Sequence, residues 1–318
     1  MFRMFADRKR RAKRISTLVG GLIAMNFALF GRAALAEHDQ PAATDDIRVQ
    51  ADIVYARDGS TEQKCDVYFP REQRPGKTTP AVLVIHGGAW STGSKRLMAG
   101  YATQLAEAGT VAVAINYHLA PHSKFPTQLD DVRDALIWLN DHAKKFSIDT
   151  DRLGIFGYSA GGHLACMVAT LQDESTDRLK ATSNWSVDDP RWRRLPRVAA
   201  VVAGGPPCEF RNLPLNNSGL SYFLGGTRAD LPETYEAASP CAFASDGDCP
   251  IAFIHGERDL IVPIRSSQSL YDAQRAVGVQ SEFVMIEKQG HMIAFLHPKT
   301  GEALVDYMRR KLLLDVTR

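Results

Sequence analysis

Short continuous apolar runs recur along this chain, and they limit its fold more narrowly than any other feature of the sequence. A strand with one face in water alternates polar and apolar residues, whereas these runs suit strands buried on both faces of a mainly parallel sheet. They cover 81–85, 111–115, 153–156, 198–203, 251–254 and 283–286. Two earlier strands are predicted at 53–56 and 65–69, joined by the turn residues Asp58-Gly59-Ser60. The pattern predicts an eight-stranded sheet.

Helical patterns alternate with these runs. Apolar residues recur at helical spacing in 129–139, where Asp130 and Asp131 occupy the first turn, and again in 164–171. Further helices are predicted at 97–108, 266–276 and 303–314. Because strands and helices alternate, we expect an α/β fold with a doubly wound sheet.

Two stretches interrupt this alternation. Residues 175–197 are polar but contain Trp185 and Trp192, and residues 206–249 are rich in Gly, Pro and Asn. Substrates of doubly wound sheets bind beyond the carboxyl ends of the strands. We therefore expect both stretches to be insertions that form a small loop and helix cap over the active site.

Residues 1–36 have the three parts of a secretory signal peptide. A basic head runs from Arg3 to Arg14, a mostly apolar stretch follows to Phe30, and Ala34-Leu35-Ala36 supplies small residues for cleavage after Ala36. The apolar stretch is short for a spanning helix, which needs about 20 residues; an uncleaved anchor is the alternative. The sequence predicts a single domain over 37–318 that is periplasmic or secreted, without stable membrane insertion after cleavage.

Removing that segment changes the charge of the chain. Residues 1–36 hold eight of the 38 Lys and Arg residues and one of the 36 acidic residues, which leaves 30 basic and 35 acidic residues and a net charge of −5. Nucleic-acid binding needs a basic face on the folded domain. We therefore expect no nucleic-acid partner, while the oligomeric state stays open.

The five cysteines indicate neither a metal site nor a complete disulfide framework. An odd number leaves at least one thiol outside any bridge within the chain. Cys241 and Cys249 flank a short polar loop, and whether they form a disulfide stays open on spacing alone. Cys166 lies in an apolar helical pattern and is expected in the core. No CxxC or Cys/His cluster is present, so neither a metal nor a cofactor is expected.

Gly157-Tyr158-Ser159-Ala160-Gly161 carries the strongest chemical signal. The motif follows the apolar run 153–156 and precedes a helical pattern, which is the strand–turn–helix context of a nucleophile elbow. Such a turn strains the serine backbone and leaves no room for side chains at Gly157 and Gly161. It also places the hydroxyl at a helix N-terminus, where free N–H groups favour negative charge. Ser159 is therefore the predicted nucleophile.

His86-Gly87-Gly88-Ala89-Trp90 follows the run 81–85 and predicts an oxyanion hole. The oxyanion of a tetrahedral intermediate needs backbone N–H groups already aimed at it, and glycines let the backbone approach closely. We expect the donors to be the N–H groups of Gly88, Ala89 and Ala160, with Gly87 as the substitute if the register shifts by one residue. His86 is expected to organise the loop.

The predicted acid and base follow Ser159 in the chain order Ser, Asp, His. Asp259 lies just beyond the run 251–254, and His291 lies just beyond the run 283–286. His291 is expected to take the proton of Ser159 and to pass it to the leaving group, while Asp259 fixes the imidazole tautomer. Glu257 is the competing acid. Among the other histidines, His163 on the helix after Ser159 is the one closest to this chemistry.

These motifs together resemble the hormone-sensitive-lipase-like esterases of the α/β-hydrolase fold, and more closely the bacterial feruloyl esterase and acetyl xylan esterase branch. The resemblance runs from about Cys65 to Leu312. It is carried by HGGAW, NYHLAPHSKFP, GYSAGGHLA, FLGG, ASP, HGERDLIVP and GHM. It implies the nucleophile on Ser159, the acid on Asp259, the base on His291 and oxyanion donors from the HGGAW loop and Ala160. His122 stands where relatives often have Glu.

The combined interpretation is an exported serine carboxylic-ester hydrolase that works through an acyl-enzyme. The resemblance and the compartment favour short-acyl esters or feruloyl and acetyl esters of carbohydrate as substrates. HGGxW and GxSAGxHLA also resemble arylformamidases, so an arylformamidase or prolyl-peptidase-like amide hydrolase is the alternative. A catalytically silent binding protein on the same fold is the remote alternative, because no member of the triad is missing.

Overall fold

The computed structural model describes residues 47–73 and 76–313. The predicted signal peptide, residues 1–36, lies outside the described residues. The eight strands are β1 (Ile47–Asp58), β2 (Thr61–Pro70), β3 (Thr79–Ile85), β4 (Val111–Ile115), β5 (Ile148–Tyr158), β6 (Ala200–Gly204), β7 (Ile251–Gly256) and β8 (Glu282–Ile286). They form one sheet in the order β1-β2-β4-β3-β5-β6-β7-β8.

The pairing is antiparallel between β1 and β2 and between β2 and β4, and parallel from β4 to β8. Every residue of β4, β6 and β7 is buried, as the continuous apolar runs predict. The eight-stranded, doubly wound α/β-hydrolase sheet is thereby confirmed. β8 differs, because it is the edge strand and four of its five residues keep some exposure.

Ten α-helices among the described residues complete the fold, several of them single turns. They are α1 (Ala99–Glu107), α2 (Thr127–Asp141), α3 (Ala143–Phe146), α4 (Ala160–Thr170), α5 (Thr176–Leu179), α6 (Ser221–Leu224), α7 (Pro232–Ala237), α8 (Arg265–Ala276), α9 (His291–Leu296) and α10 (Pro298–Met308). A 3₁₀ turn, Lys95–Met98, precedes α1, and a π-helical turn, Arg309–Leu313, follows α10. The core divides into two apolar layers, one on each face of the sheet.

The parallel strands fix where chemistry can occur. The carboxyl ends of β3, β5, β7 and β8 lie on the same edge of the sheet because these strands run in one direction. The segments that leave these ends begin at His86, Ser159, Glu257 and Glu287. Each segment carries one part of the predicted site.

The two insertions pack against different parts of the fold. α4 carries the chain back across the sheet, so that Gln172 beyond its end exchanges hydrogen bonds with Val198 just before β6. Residues 175–197 therefore begin at the opposite edge. They pack along α2, where Asn184 N–H donates to Asp130 and Arg194 pairs with Asp141. Residues 206–249 contact the loop 86–90, where Tyr222 donates its hydroxyl to Ala89 O at 2.9 Å.

All five cysteines are free thiols. Cys166 is fully buried in α4, as its apolar surroundings predict. Cys241 and Cys249, whose pairing the sequence left open, form no bridge. Burial raises the pKa of each of these two thiols to about 12, which keeps both protonated.

Candidate active site

Ser159 occupies a sharp turn between β5 and α4. Its backbone has φ 55° and ψ −117°, a region that non-glycine residues rarely adopt and that costs about 1–3 kcal/mol. Its N–H donates to Gly204 O at 2.7 Å, which holds the turn against β6. A side chain on Gly161 would lie 2.6 Å from His86 O, so the turn tolerates only glycine there. Ser159 is partly exposed between buried neighbours. This is the geometry of a nucleophile elbow.

The loop 86–90 lies directly against this serine. A methyl group on Gly87 would lie 2.9 Å from Tyr158 O and 3.2 Å from the Cβ atom of Ser159. Gly88 and Ala89 both have positive φ, at 118° and 50°. Within the described part of the chain, no acceptor binds the N–H groups of Gly88 or Ala89. The N–H of Ala160, the first residue of α4, likewise has no acceptor within its own helix.

His86 holds that loop in shape. Its Nδ1 atom lies 2.7 Å from Gly87 O, and its ring stacks on Tyr117 with centroids 4.1 Å apart. Burial lowers the pKa of His86 to about 4, so the ring is neutral at ordinary pH. These contacts fit the loop-organising role that the sequence predicts.

Asp259 and His291 meet at the same edge of the sheet. His291 Nδ1 lies 2.5 Å from Asp259 Oδ2, and both side chains are buried. The other carboxylate oxygen, Oδ1, accepts the backbone N–H groups of Ile261 at 2.9 Å and Val262 at 2.8 Å. Glu257, the competing acid, is exposed and accepts the N–H of Lys288 instead. The structure therefore brings Asp259, rather than Glu257, to the imidazole.

The carboxylate of Asp259 is held in its charged form. Burial favours the neutral acid, but hydrogen bonds from His255, from His291 and from the N–H of Val262 outweigh it and hold the pKa of Asp259 well below its usual range. Because that carboxylate accepts a hydrogen bond from His291 Nδ1–H, the lone pair of the imidazole lies on Nε2. His291 Nε2 is buried and has no hydrogen-bond partner among the described residues.

Contacts between neighbouring residues bring His291 beside the nucleophile. Tyr158, which precedes Ser159, donates its hydroxyl to His291 O at 2.7 Å. Gly204 accepts the N–H of Ser159, and a side chain on the next residue, Gly205, would lie 2.9 Å from the imidazole Cε1. No hydrogen bond joins Ser159 to His291 in this structure. Catalytic hydrogen bonds are often long without substrate.

The contacts of His163 are those of a structural residue. Its Nε2 atom lies 2.8 Å from Ala238 O, and burial lowers the pKa of the ring to about 4. It also packs edge-on against Trp90, with centroids 5.2 Å apart. His163 therefore ties α4 to the insertion 206–249 and makes no contact with Asp259.

The insertion 206–249 packs onto the predicted oxyanion loop. Trp90 stacks on Phe223 with centroids 4.1 Å apart and an interplanar angle of 5°. Tyr222 donates its hydroxyl to Ala89 O at 2.9 Å. This insertion therefore supports the predicted oxyanion loop from the side opposite the sheet.

Sequence reasoning missed several residues that build the site. Tyr158, Gly205 and Tyr222 contact the predicted residues directly, and His255 lies beside Asp259. Gly205 stands two residues beyond the predicted run 198–203, and its position could have marked a close approach. Nothing in a single sequence distinguishes His255 from an ordinary core histidine.

The fold and the site define an α/β-hydrolase with a serine elbow. A family model described as BD-FAE matches residues 65–273. The chain belongs to this family.

Curated relatives with sequence similarity include mycobacterial esterases. Esterase LipC of Mycobacterium tuberculosis is 29% identical over 248 residues, which cover 75% of this chain and 58% of LipC. Esterase LipQ of the same organism is 28% identical, with 72% of this chain and 53% of LipQ covered. The chain thus spans little more than half the length of these relatives.

Solved structures show the same fold. A truncated form of a carbohydrate esterase from gut microbiota aligns with a TM-score of 0.74 and 23% identity, over 86% of this chain and 100% of that one. A bifunctional GH43-CE protein of Bacteroides eggerthii aligns with a TM-score of 0.70 and 28% identity, over 83% of this chain and 38% of that one.

Proposed function

We propose that this chain is a serine carboxylic-ester hydrolase that works through an acyl-enzyme. One observation carries the proposal: the strained Ser159 lies between a loop with free N–H groups and a buried imidazole already paired with a carboxylate. Relatives named esterases, spanning about three quarters of this chain, support it.

In this mechanism Ser159 Oγ attacks the ester carbonyl carbon while His291 Nε2 takes the hydroxyl proton. The carbonyl oxygen becomes an oxyanion, which the N–H groups of Gly88, Ala89 and Ala160 stabilise. His291 then delivers its proton to the departing alcohol, and the acyl group stays on Ser159. Water then attacks the acyl carbon while His291 Nε2 takes its proton, and His291 returns that proton to Ser159 Oγ as the acyl bond breaks and the carboxylic acid leaves.

Activity on p-nitrophenyl acetate tests the proposal directly. We expect purified 37–318 to hydrolyse this ester and Ser159→Ala to lose about 10⁴-fold or more in kcat, because the nucleophile is gone. Ser269→Ala, an exposed serine on α8, is the matched control and should keep full activity. Full activity in Ser159→Ala, or no labelling of the wild-type chain by a fluorophosphonate, would refute the assignment.

We further propose that the protein is exported and acts on feruloyl or acetyl esters of carbohydrate. The predicted signal peptide supports export, and cleavage after Ala36 is checked by the mass of the protein isolated from its native cells. No helix among the described residues has the length and apolar character to cross a membrane. The likeness to the bifunctional GH43-CE protein of Bacteroides eggerthii, at 28% identity, supports the substrate class.

Apolar side chains beside the site favour the aryl-bearing substrates of this class. Leu260 and Ile261 follow Asp259, and Met292 and Ile293 follow His291. All four are exposed, and Leu260 is 94% accessible. A substrate panel of acetyl, butyryl and feruloyl esters, with a formanilide as the amide test, decides the preference. We expect feruloyl esters to give the highest kcat/KM and the formanilide the lowest.

A further inference from the structure

A second histidine lies against the predicted catalytic acid. His255, the penultimate residue of β7, is fully buried, and its Nε2 atom lies 3.2 Å from Asp259 Oδ2. The same Nε2 atom lies 2.8 Å from Val262 O. Asp259 Oδ2 therefore faces two imidazoles, one from His291 and one from His255.

The partners of His255 fix which of its nitrogens carries the proton. A backbone carbonyl can only accept a hydrogen bond, so the Nε2 atom beside Val262 O must be protonated. The Nδ1 atom lies 2.7 Å from the hydroxyl of Ser267 on α8, also fully buried. The same hydroxyl oxygen lies 3.1 Å from Ile264 O, so Ser267 links the ring of His255 to the start of α8. Ser267 thus aims the Nε2–H of His255 at Val262 and Asp259.

These bonds close the loop that presents the acid. Val262 donates its N–H to Asp259 Oδ1 at 2.8 Å and accepts the Nε2–H of His255 through its carbonyl. Asp259 N–H donates to Gly256 O at 3.2 Å, which returns the loop to the end of β7. The position of the carboxylate therefore depends on His255, although His255 has no contact with the predicted nucleophile.

We propose that His255 is a positioning residue for the reaction: it holds the Asp259 loop in place and shares Asp259 Oδ2 with His291, which tunes the strength of the catalytic base. The inference rests on the proposed function. With His255 present, the charge on Oδ2 is divided between two donors. Without it, Oδ2 interacts more strongly with His291 and favours the protonated, inactive imidazole.

Three variants test this proposal. His255→Leu removes both nitrogens, His255→Gln keeps an amide N–H near the position of Nε2, and Ser267→Ala removes only the hydroxyl that orients the ring. The measurements are kcat, KM and the pH dependence of kcat/KM on p-nitrophenyl acetate, whose acid limb reports the protonation of the free base. The ionisable groups that face His291 are Asp259 and Tyr158, and Asp259 is the one that faces His255.

We expect His255→Leu to lower kcat about tenfold with KM within about twofold, because a charge-assisted hydrogen bond is lost away from the substrate. We also expect its acid limb to move to higher pH. Ser267→Ala should shift the limb the same way by less, and His255→Gln should restore most of the rate and the wild-type limb.

Two results would overturn the proposal. One is an unchanged rate and profile in folded His255→Leu. The other is a lower rate with an unmoved acid limb and no rescue by His255→Gln, which would mean that His255 acts only in packing. If His255→Leu does not fold, His255→Gln and Ser267→Ala decide by the same criteria. An inactive wild-type chain that fluorophosphonate does not label would instead refute the proposed function itself.

Discussion

At the scale of single residues, the site depends on glycines at positions where no side chain fits. Gly161 packs against the backbone of His86, Gly87 against Tyr158 and Ser159, and Gly205 against the imidazole of His291. Each glycine lets two segments from different strands approach within contact distance. The pentapeptide around Ser159 predicts this requirement from the sequence, because its two glycines have the spacing of a nucleophile elbow. Gly205 has no such motif and could be found only in three dimensions.

Substitution of Gly87 tests how closely the oxyanion loop must approach the nucleophile. A methyl group there would press on Tyr158 O at 2.9 Å, so the loop must move. We expect Gly87→Ala to lower kcat about 10²-fold on p-nitrophenyl acetate, the effect of losing one oxyanion donor. Gly100→Ala on α1 is the control, since nothing lies within 4 Å of the added methyl; activity should be unchanged. Equal activity in both variants would contradict the assignment of this loop.

Acid denaturation tests the charged state of Asp259. Because the folded-state pKa of Asp259 lies below its ordinary value of about 3.9, its contribution to stability is complete above that pH and is lost as the pH falls below it. In urea titrations between about pH 5 and pH 2, the wild-type protein should lose stability more steeply than Asp259→Asn, which does not titrate. Parallel curves would show that this carboxylate is not held in the charged form. The Asn variant should also lose about 10⁴-fold in kcat.

At the scale of elements, the strands were the most predictable part of the fold. The runs in β4, β6 and β7 are buried on both faces, so composition alone reveals them. The path of residues 175–197 was not predictable, because a polar segment with two tryptophans has no periodicity that fixes its direction. Its partners are on α2, where Arg133 donates to Thr182 O at 2.6 Å and lies over the ring of Trp192. Whether residues 175–197 also form part of a cap over the active site stays a prediction.

The exposed apolar residues in the two segments that follow Asp259 and His291 can be tested for a role in substrate preference. Leu260→Ser with Ile293→Ser removes exposed apolar surface beside the site without touching the core. We expect kcat/KM for a feruloyl ester to fall about tenfold and that for p-nitrophenyl acetate to change by less than about twofold, since burying one such side chain contributes about 1.5–3 kcal/mol. Val277→Ser, which removes an exposed apolar side chain just beyond the end of α8, is the control. Equal losses on both esters would argue against an aryl-binding role for this surface.

At the scale of the whole molecule, stability comes from packing rather than from covalent links. All five cysteines are free, and the two apolar layers cover both faces of the sheet. We expect the melting temperature of 37–318, purified under oxidising conditions, to stay within about 1 °C when a reductant is added. A bridge between Cys241 and Cys249 would close a small ring and contribute about 2.5 kcal/mol. A fall of several degrees on reduction would reveal such a bond.

The placement of His255 within β7 has a consequence for the molecule as a whole. His255, which contacts the predicted acid, belongs to a fully buried strand that is hydrogen-bonded on both sides, between β6 and β8, and not to a surface loop. Loosening the interior around β7 is therefore expected to disturb both the predicted Asp259–His291 pair and the packing of the sheet. New substrate preferences in such a protein are expected to evolve through substitutions in the insertion 206–249 and at the exposed residues that follow Asp259 and His291. Substitutions there leave the buried contacts of His255 intact.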